Sequence, residues 1–81
     1  KPKALPLWRV LLHNDDVNDI PHVVDTLLAL TALSKADAVT RTLEAHHKGV
    51  SLLLTTHQER AELYVQQFAS RNLTVTMEPG E

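Results

Sequence analysis

Cysteine is absent from this 81-residue chain, and glycine and aromatic residues are scarce. Without cysteine, the chain can form no disulfide bond and offers no thiolate as a nucleophile or metal ligand. The only glycines, Gly49 and Gly80, are far apart, so no glycine-rich loop is available to hold phosphate groups. These absences argue against thiol-dependent and nucleotide-dependent enzymes.

The chain also lacks an excess of basic residues and a long apolar run. Eight Lys and Arg against ten Asp and Glu give a formal net charge of -2, which does not favour nucleic acid as a partner. No apolar run approaches the roughly 20 residues of a membrane span, and Lys1–Pro6 lacks the apolar centre of a signal peptide. We therefore expect a cytoplasmic globular protein that is not membrane-bound and needs no cofactor.

Six segments carry strand or helix patterns. Residues 1–7 hold two of the four prolines and predict an extended arm before a single domain at 8–81. Strand-forming residues and period-two alternation predict strands, and apolar residues at helical spacing predict helices. The predicted strands are 8–13, 50–55 and 73–78, and the predicted helices begin near 20, 35 and 58.

Helix-capping residues mark the ends of these helices. Asp19 is placed to cap the first helix, and Ser34 the second, because their side chains can accept first-turn N–H groups. Gly49 suits the left-handed end of the second helix. Thr55 and Thr56, each followed three residues later by Gln or Glu, are alternative caps for the third helix.

The element order predicts an α+β fold, β-α-α-β-α-β. Alternation in the last strand indicates a sheet with one face exposed to water, as in antiparallel sheets. The simplest packing places the helices on one face of a three-stranded antiparallel sheet.

A polar turn and a pair of histidines are the candidate functional features. Asn14 and Asp15 follow the first strand, where such residues commonly form turns, but their oxygens could equally accept N–H bonds from an ammonium group. His46 and His47, near a helix end, have a structural explanation in the helix dipole. Residue types alone leave both interpretations open.

Enzymatic sites find little support in the sequence. None of the serines stands in the context of a nucleophile elbow. A zinc site built from His13, Asp15 and His46 is an alternative, because these are suitable ligands, but no spacing motif supports it. The sequence predicts neither a catalytic residue nor a metal site.

Three motifs in order resemble the ClpS family. They are the strand leading into Asn14-Asp15-Asp16 with the helix at 23–27, His46-His47-Lys48-Gly49, and Thr76-Met77-Glu78. ClpS proteins are adaptors that bind a bulky hydrophobic N-terminal residue, the N-degron, and pass the substrate to a Clp unfoldase of the ClpA or ClpC type. The resemblance implies that this chain does the same.

The family alignment also implies roles for particular residues. The α-amino contacts fall on Asn14, Asp15 and His46. The hydrophobic side-chain pocket falls on Val17, Asn18, Ile20, Val23, Thr42, Ala45 and Leu73. Contact with the unfoldase falls on Glu59 and on Tyr64, where the family has Lys.

This chain departs from the family pattern inside and outside the implied pocket. Ile20 and Thr42 stand where the family has Met, and Pro21-His22 replaces Glu-Phe. These departures motivate an alternative, in which the chain is a diverged protein-interaction module that keeps the fold without binding N-degrons. The resemblance also implies that a neutral His46 imidazole accepts a bond from the amine.

Overall fold

The computed structural model describes residues 6–80. Three strands and three helices follow one another in the predicted order, β-α-α-β-α-β. The elements are β1 (Leu7–His13), α1 (Ile20–Leu30), α2 (Lys35–Lys48), β2 (Val50–His57), α3 (Gln58–Ala69) and β3 (Val75–Pro79).

The strands form one antiparallel sheet with β1 in the centre, in the order β2-β1-β3. Val10 and Leu12 of β1 are buried, while the intervening Leu11 is only partly covered. This alternation is expected where one sheet face carries the helices and the other faces solvent. The predicted α+β fold is confirmed.

A β-bulge interrupts the pairing of β1 with β2. Val10 pairs with Leu54, whereas Leu11 pairs with Leu52, so Leu53 is the extra residue on β2. A bulge bends the strand and re-aims its side chains. Leu53 is 3% exposed and joins the core.

The core lies between the sheet and the helices. It comprises Val10, Leu12, Val23, Val24, Leu27, Ala38, Ala45, Leu53, Ala61, Tyr64, Phe68, Leu73 and Val75. Three apolar helix residues, Ile20, Leu28 and Leu43, are about one-third exposed.

Two of the predicted helix starts and the predicted glycine cap are present. The Asp19 carboxylate accepts the amide N–H of His22 at 3.0 Å, and the Ser34 hydroxyl accepts that of Asp37 at 3.1 Å. Gly49 ends α2 with φ of 93°, a left-handed conformation that glycine adopts without a Cβ penalty. No helix in the described range 6–80 has the length and hydrophobicity that crossing a membrane requires.

The third helix and the chain's outer boundaries differ from the predictions. Thr55 and Thr56 do not cap α3, because both pair with β1 in a longer β2, and His57 is the N-cap without a side-chain bond. The last strand begins at Val75 rather than Leu73. Of the predicted arm, residues 1–5 lie outside the described part of the chain, and Leu7 belongs to β1.

Candidate functional site

A small cavity lies where the end of β1, the following turn, α1, α2 and the loop before β3 meet. It encloses about 30 Å³. Its walls are Leu12, His13, Asn14, Asp15, Asn18, Ile20, Val23, Thr42, Ala45, His46 and Leu73. Residues as far apart in the sequence as Leu12 and Leu73 therefore contribute to one site.

Backbone hydrogen bonds fix the polar turn against its neighbours. The Asn14 N–H donates to the Gly49 carbonyl at 2.9 Å, and the His13 N–H donates to the Thr74 carbonyl at 3.0 Å. The Asn18 side-chain amide donates to the Asn72 carbonyl at 2.7 Å. The turn is thus held on one side by the end of α2 and on the other by the loop before β3.

Asp15 organises the interior of the turn. One carboxylate oxygen accepts the N–H of Val17 at 2.7 Å and that of Asn18 at 3.4 Å, and the other accepts the Asn18 side-chain amide. The Val17 N–H is the largest cause that lowers the pKa of Asp15, followed by the Asn18 amide, while burial opposes them slightly. Asp15 is therefore a carboxylate at neutral pH. Its two oxygens have about four lone-pair sites, and these three bonds leave about one for a further N–H donor.

His46 reaches the cavity from the last turn of α2. It lies one turn before Gly49, whose carbonyl is bonded to Asn14, so the same helix end places the imidazole beside the polar turn. His47 is edge-on to His46, with ring centroids 5.3 Å apart, and is not part of the wall. Successive helical residues point about 100° apart, which explains why only one of the pair faces the cavity.

Burial divides the cavity into a rim and a floor. Asn14 and His46 are exposed, and Ile20 is 36% exposed. The floor consists of side chains less than 9% exposed, namely Leu12, Val23, Thr42, Ala45 and Leu73. The site therefore combines a polar, partly anionic mouth with a mostly apolar base.

The structure brings together nearly all of the residues that the family resemblance singled out. Asn14, Asp15 and His46 share one cavity with six of the predicted side-chain contacts. Val17 is the exception, because its side chain is 89% exposed and lies outside this wall. It borders instead a shallow depression beside Ala69 and Asn72.

Leu12 lines the cavity but was not predicted to do so, and His13, also in the wall, was named only as a ligand of the alternative zinc site. Leu12 points inward in the period-two alternation of β1, which predicts core but not cavity. The His13 ring nitrogen Nε2 lies 2.7 Å from the Thr76 hydroxyl, a contact between strands far apart in sequence. Only the sheet pairing could have shown that these two residues reach the site.

The residues implied in unfoldase contact lie elsewhere, on α3. Glu59 is exposed in the first turn and borders a depression of about 200 Å³ together with Trp8 and His57. Tyr64, in contrast, is 8% exposed and packs against Phe68. Tyr64 is thus a core residue with little surface to offer a partner, because the helix turns this position toward the sheet.

The structure does not assemble the alternative zinc site. Within residues 6–80, no group of three or more His, Cys, Asp or Glu side chains is arranged to hold a metal ion. His13 and Asp15 are instead engaged with Thr76 and Asn18.

Comparison with known proteins shows which protein family the chain resembles. Residues 3–76 match the family described as ATP-dependent Clp protease adaptor protein ClpS. The ClpS adapter of Synechococcus elongatus is 40% identical over 82 aligned positions, covering 100% of this chain and 86% of that protein. The chloroplastic adapter of Chlamydomonas reinhardtii is 42% identical, covering 96% of this chain and 49% of that protein.

A solved structure has the same fold. Agrobacterium tumefaciens ClpS2 bound to L-phenylalaninamide gives a TM-score of 0.83 with 24% sequence identity, covering 94% of this chain and 99% of that one. The family description confirms the prediction that the chain is an adaptor and not an enzyme. With a match over nearly its whole length, this chain belongs to the ClpS family of Clp protease adaptors.

Proposed function

We propose that this adaptor binds the N-terminal residue of substrate proteins in the cavity between the polar turn and α2. The observation that carries the proposal is that Asn14, Asp15 and His46 line one cavity whose floor is mostly apolar. An N-terminal residue presents a matching pair of groups, an ammonium and a side chain on the same carbon.

The rim supplies acceptors for the ammonium group. Asp15 contributes a full negative charge, which its N–H bonds maintain by lowering its pKa. Asn14 offers an amide oxygen, and a neutral His46 ring offers a nitrogen lone pair. Hydrogen bonds to a charged group each contribute about 1.5–3 kcal/mol before ordering costs.

The floor receives the side chain of the N-terminal residue. Burying a Leu or Phe side chain contributes about 1.5–3 kcal/mol. Together with the ammonium bonds and after the costs of association, this suits a transient complex of roughly micromolar affinity. The related adaptor solved with L-phenylalaninamide binds a ligand that has both a free amine and an aromatic side chain, which supports the proposal.

A bulky side chain requires the cavity to widen. The enclosed 30 Å³ is room for about one water molecule, whereas a cavity that binds benzene measures about 150 Å³. Ile20, which is partly exposed at the rim, is the side chain best placed to move. The narrow cavity is also the observation that favours the second candidate, a diverged interaction module that has lost N-degron binding.

The two candidates are distinguished by a peptide panel. Fluorescence anisotropy with labelled peptides that begin with Leu, Phe, Tyr, Trp or Ser should show micromolar binding for the bulky hydrophobic residues and none for Ser. Equal affinity for all five peptides, or no binding to any of them, would contradict N-degron recognition. Either result, combined with tight association with another protein, would support the diverged module instead.

We further propose that the adaptor delivers bound substrates to a Clp AAA+ unfoldase of the ClpA or ClpC type. A reporter protein with an N-terminal Phe should be degraded faster by a reconstituted Clp protease when this adaptor is added. The same reporter with an N-terminal Ser is the matched control. The cytoplasmic location stays a prediction, since one similar adaptor is chloroplastic.

A further inference from the structure

Thr42 contributes the only hydroxyl among the buried residues of the cavity wall within residues 6–80. We propose that its oxygen selects substrates whose N-terminal side chain carries a hydrogen-bond donor. The site would then prefer tyrosine to phenylalanine more strongly than the same site with a wholly apolar floor. This inference rests on the proposed N-terminal-residue binding and names a specificity-determining residue within it.

The hydrogen bonding of Thr42 restricts its hydroxyl to one role toward the cavity. Its Oγ1 donates to the Ala38 carbonyl at 2.7 Å, and the residue is 4% exposed. A threonine hydroxyl has one proton and two lone pairs. Because the proton is committed within α2, Thr42 can act on a ligand only as an acceptor.

Thr42 lies on the buried floor of the site. It is one helical turn before His46 on α2, about 6 Å along the helix axis at 1.5 Å per residue. His46 is exposed at the rim, whereas Thr42 is buried. A ligand whose amine lies at the rim therefore directs the far end of its side chain toward Thr42, where tyrosine carries its phenolic O–H.

A buried acceptor discriminates between ligands that differ by one hydroxyl. Tyrosine would satisfy a lone pair of Thr42 and have its own O–H satisfied, whereas phenylalanine would do neither. A site that bonds a ligand hydroxyl disfavours the analogue lacking it. For one neutral hydrogen bond, the expected effect on the affinity ratio is about three- to tenfold.

The test compares peptides that differ only in beginning with Tyr or Phe, on the wild type and on Thr42→Val. Valine keeps the shape of threonine and removes the oxygen. We expect the ratio of Tyr to Phe affinity to fall about three- to tenfold in Thr42→Val and to be retained in Thr42→Ser, which keeps a hydroxyl.

Thr26 provides a matched control. It is 2% exposed and its Oγ1 donates to the His22 carbonyl four residues earlier at 2.8 Å, the same arrangement as at Thr42, but it does not line the cavity. Thr26→Val should lose the equivalent intrahelical bond and leave the Tyr to Phe ratio unchanged. This control separates ligand recognition from a general effect of losing a buried hydroxyl.

An unchanged ratio in folded Thr42→Val overturns the inference and leaves the proposed function standing. Failure of the wild type to bind any of the bulky hydrophobic peptides overturns both. If Thr42→Val does not fold, a peptide beginning with 4-fluorophenylalanine tests the wild type directly, because fluorine cannot donate. Binding of that peptide like Phe supports the inference, and binding like Tyr contradicts it.

Discussion

The amide N–H of Asn14 donates to the carbonyl of Gly49 at 2.9 Å. This single bond joins the turn that follows β1 to the glycine that ends α2, so the rim residues of the two segments are brought to one place. Asn14 and Asp15 come from the first segment, and His46 from the second. The geometry of the candidate site therefore depends on how α2 ends.

Replacing Gly49 should destabilise the protein through the backbone alone. Its φ is 93°, and a Cβ added there would meet no atom within 4 Å. Gly49→Ala should therefore lower the free energy of unfolding by about 1–2 kcal/mol, the cost of a left-handed conformation. Gly49→Asn should lose less, because asparagine tolerates this conformation better. Urea denaturation measures both, and equal stability of all three proteins would contradict the expectation.

The charge of Asp15 should be required for binding the N-terminal amine. Asp15→Asn keeps one oxygen to accept the backbone N–H groups of Val17 and Asn18. It removes the negative charge and the oxygen that accepts the Asn18 side-chain amide. We expect affinity for a Phe-initiated peptide to fall at least tenfold, about 1.4 kcal/mol. Asp16→Asn is the matched control, since Asp16 is exposed and is not in the cavity wall. An equal loss in both variants would indicate a general electrostatic effect.

Asp15 should also make stability depend on pH in the acid range. Its pKa in the folded protein lies below the ordinary 3.8, chiefly because of the Val17 N–H. A lowered pKa contributes stability that is present above the unfolded value and lost as pH falls through the folded value. The stability advantage of the wild type over Asp15→Asn should thus be constant from about pH 5 to 7 and shrink below about pH 4. A constant difference down to pH 2 would argue against this linkage.

Tyr64 should matter for folding rather than for contact with an unfoldase. Its ring is 8% exposed, packs against Phe68 with centroids 6.4 Å apart, and lies 5.5 Å from the Arg60 guanidinium carbon. Tyr64→Ala should lower the free energy of unfolding by about 3 kcal/mol or more, as for other buried aromatic residues. Tyr64→Phe keeps the ring and should leave unfoldase binding unchanged. Loss of binding in a stable Tyr64→Phe would contradict this assignment.

Glu59 should show the opposite behaviour. It is exposed, so Glu59→Gln should change stability by less than about 0.5 kcal/mol. If it contacts the unfoldase, the variant should bind the unfoldase N-terminal domain more weakly in a titration. Asp25→Asn, an exposed acid on α1, controls for the change in net charge. Equal binding by the two variants would remove Glu59 from the docking surface.

Sequence patterns predicted the local structure well where a helix cap or a hydrophobic repeat is not opposed by tertiary contacts. Asp19, Ser34 and Gly49 each perform the predicted role at a helix end. The start of α3 could not be predicted in the same way, because pairing of Thr55 and Thr56 with β1 extends β2 and overrides their capping preference. Tertiary pairing thus outweighed a local signal.

The residues of the candidate site also differ in whether a sequence pattern could identify them. The family motifs identified the residues at the rim, but no local pattern could show that Val17 faces solvent while Leu12 and His13 reach the cavity. The exposure of Val17 depends on the direction that the turn takes after β1, which Asp15 sets by bonding to Val17 and Asn18. The positions of Leu12 and His13 depend instead on how β1 pairs within the sheet. Cavity width depends on packing between α1 and α2, for which the sequence carries no simple signal.

The central claim is that the rim residues bind a free N-terminal amine. Acetylation of the peptide N-terminus tests this claim most directly. Acetylation removes the positive charge and the ammonium donors while leaving the side chain intact. By isothermal titration calorimetry, a Phe-initiated peptide should bind the adaptor with roughly micromolar affinity, and its N-acetylated form should show no measurable binding. Equal affinity for the two peptides would contradict the account.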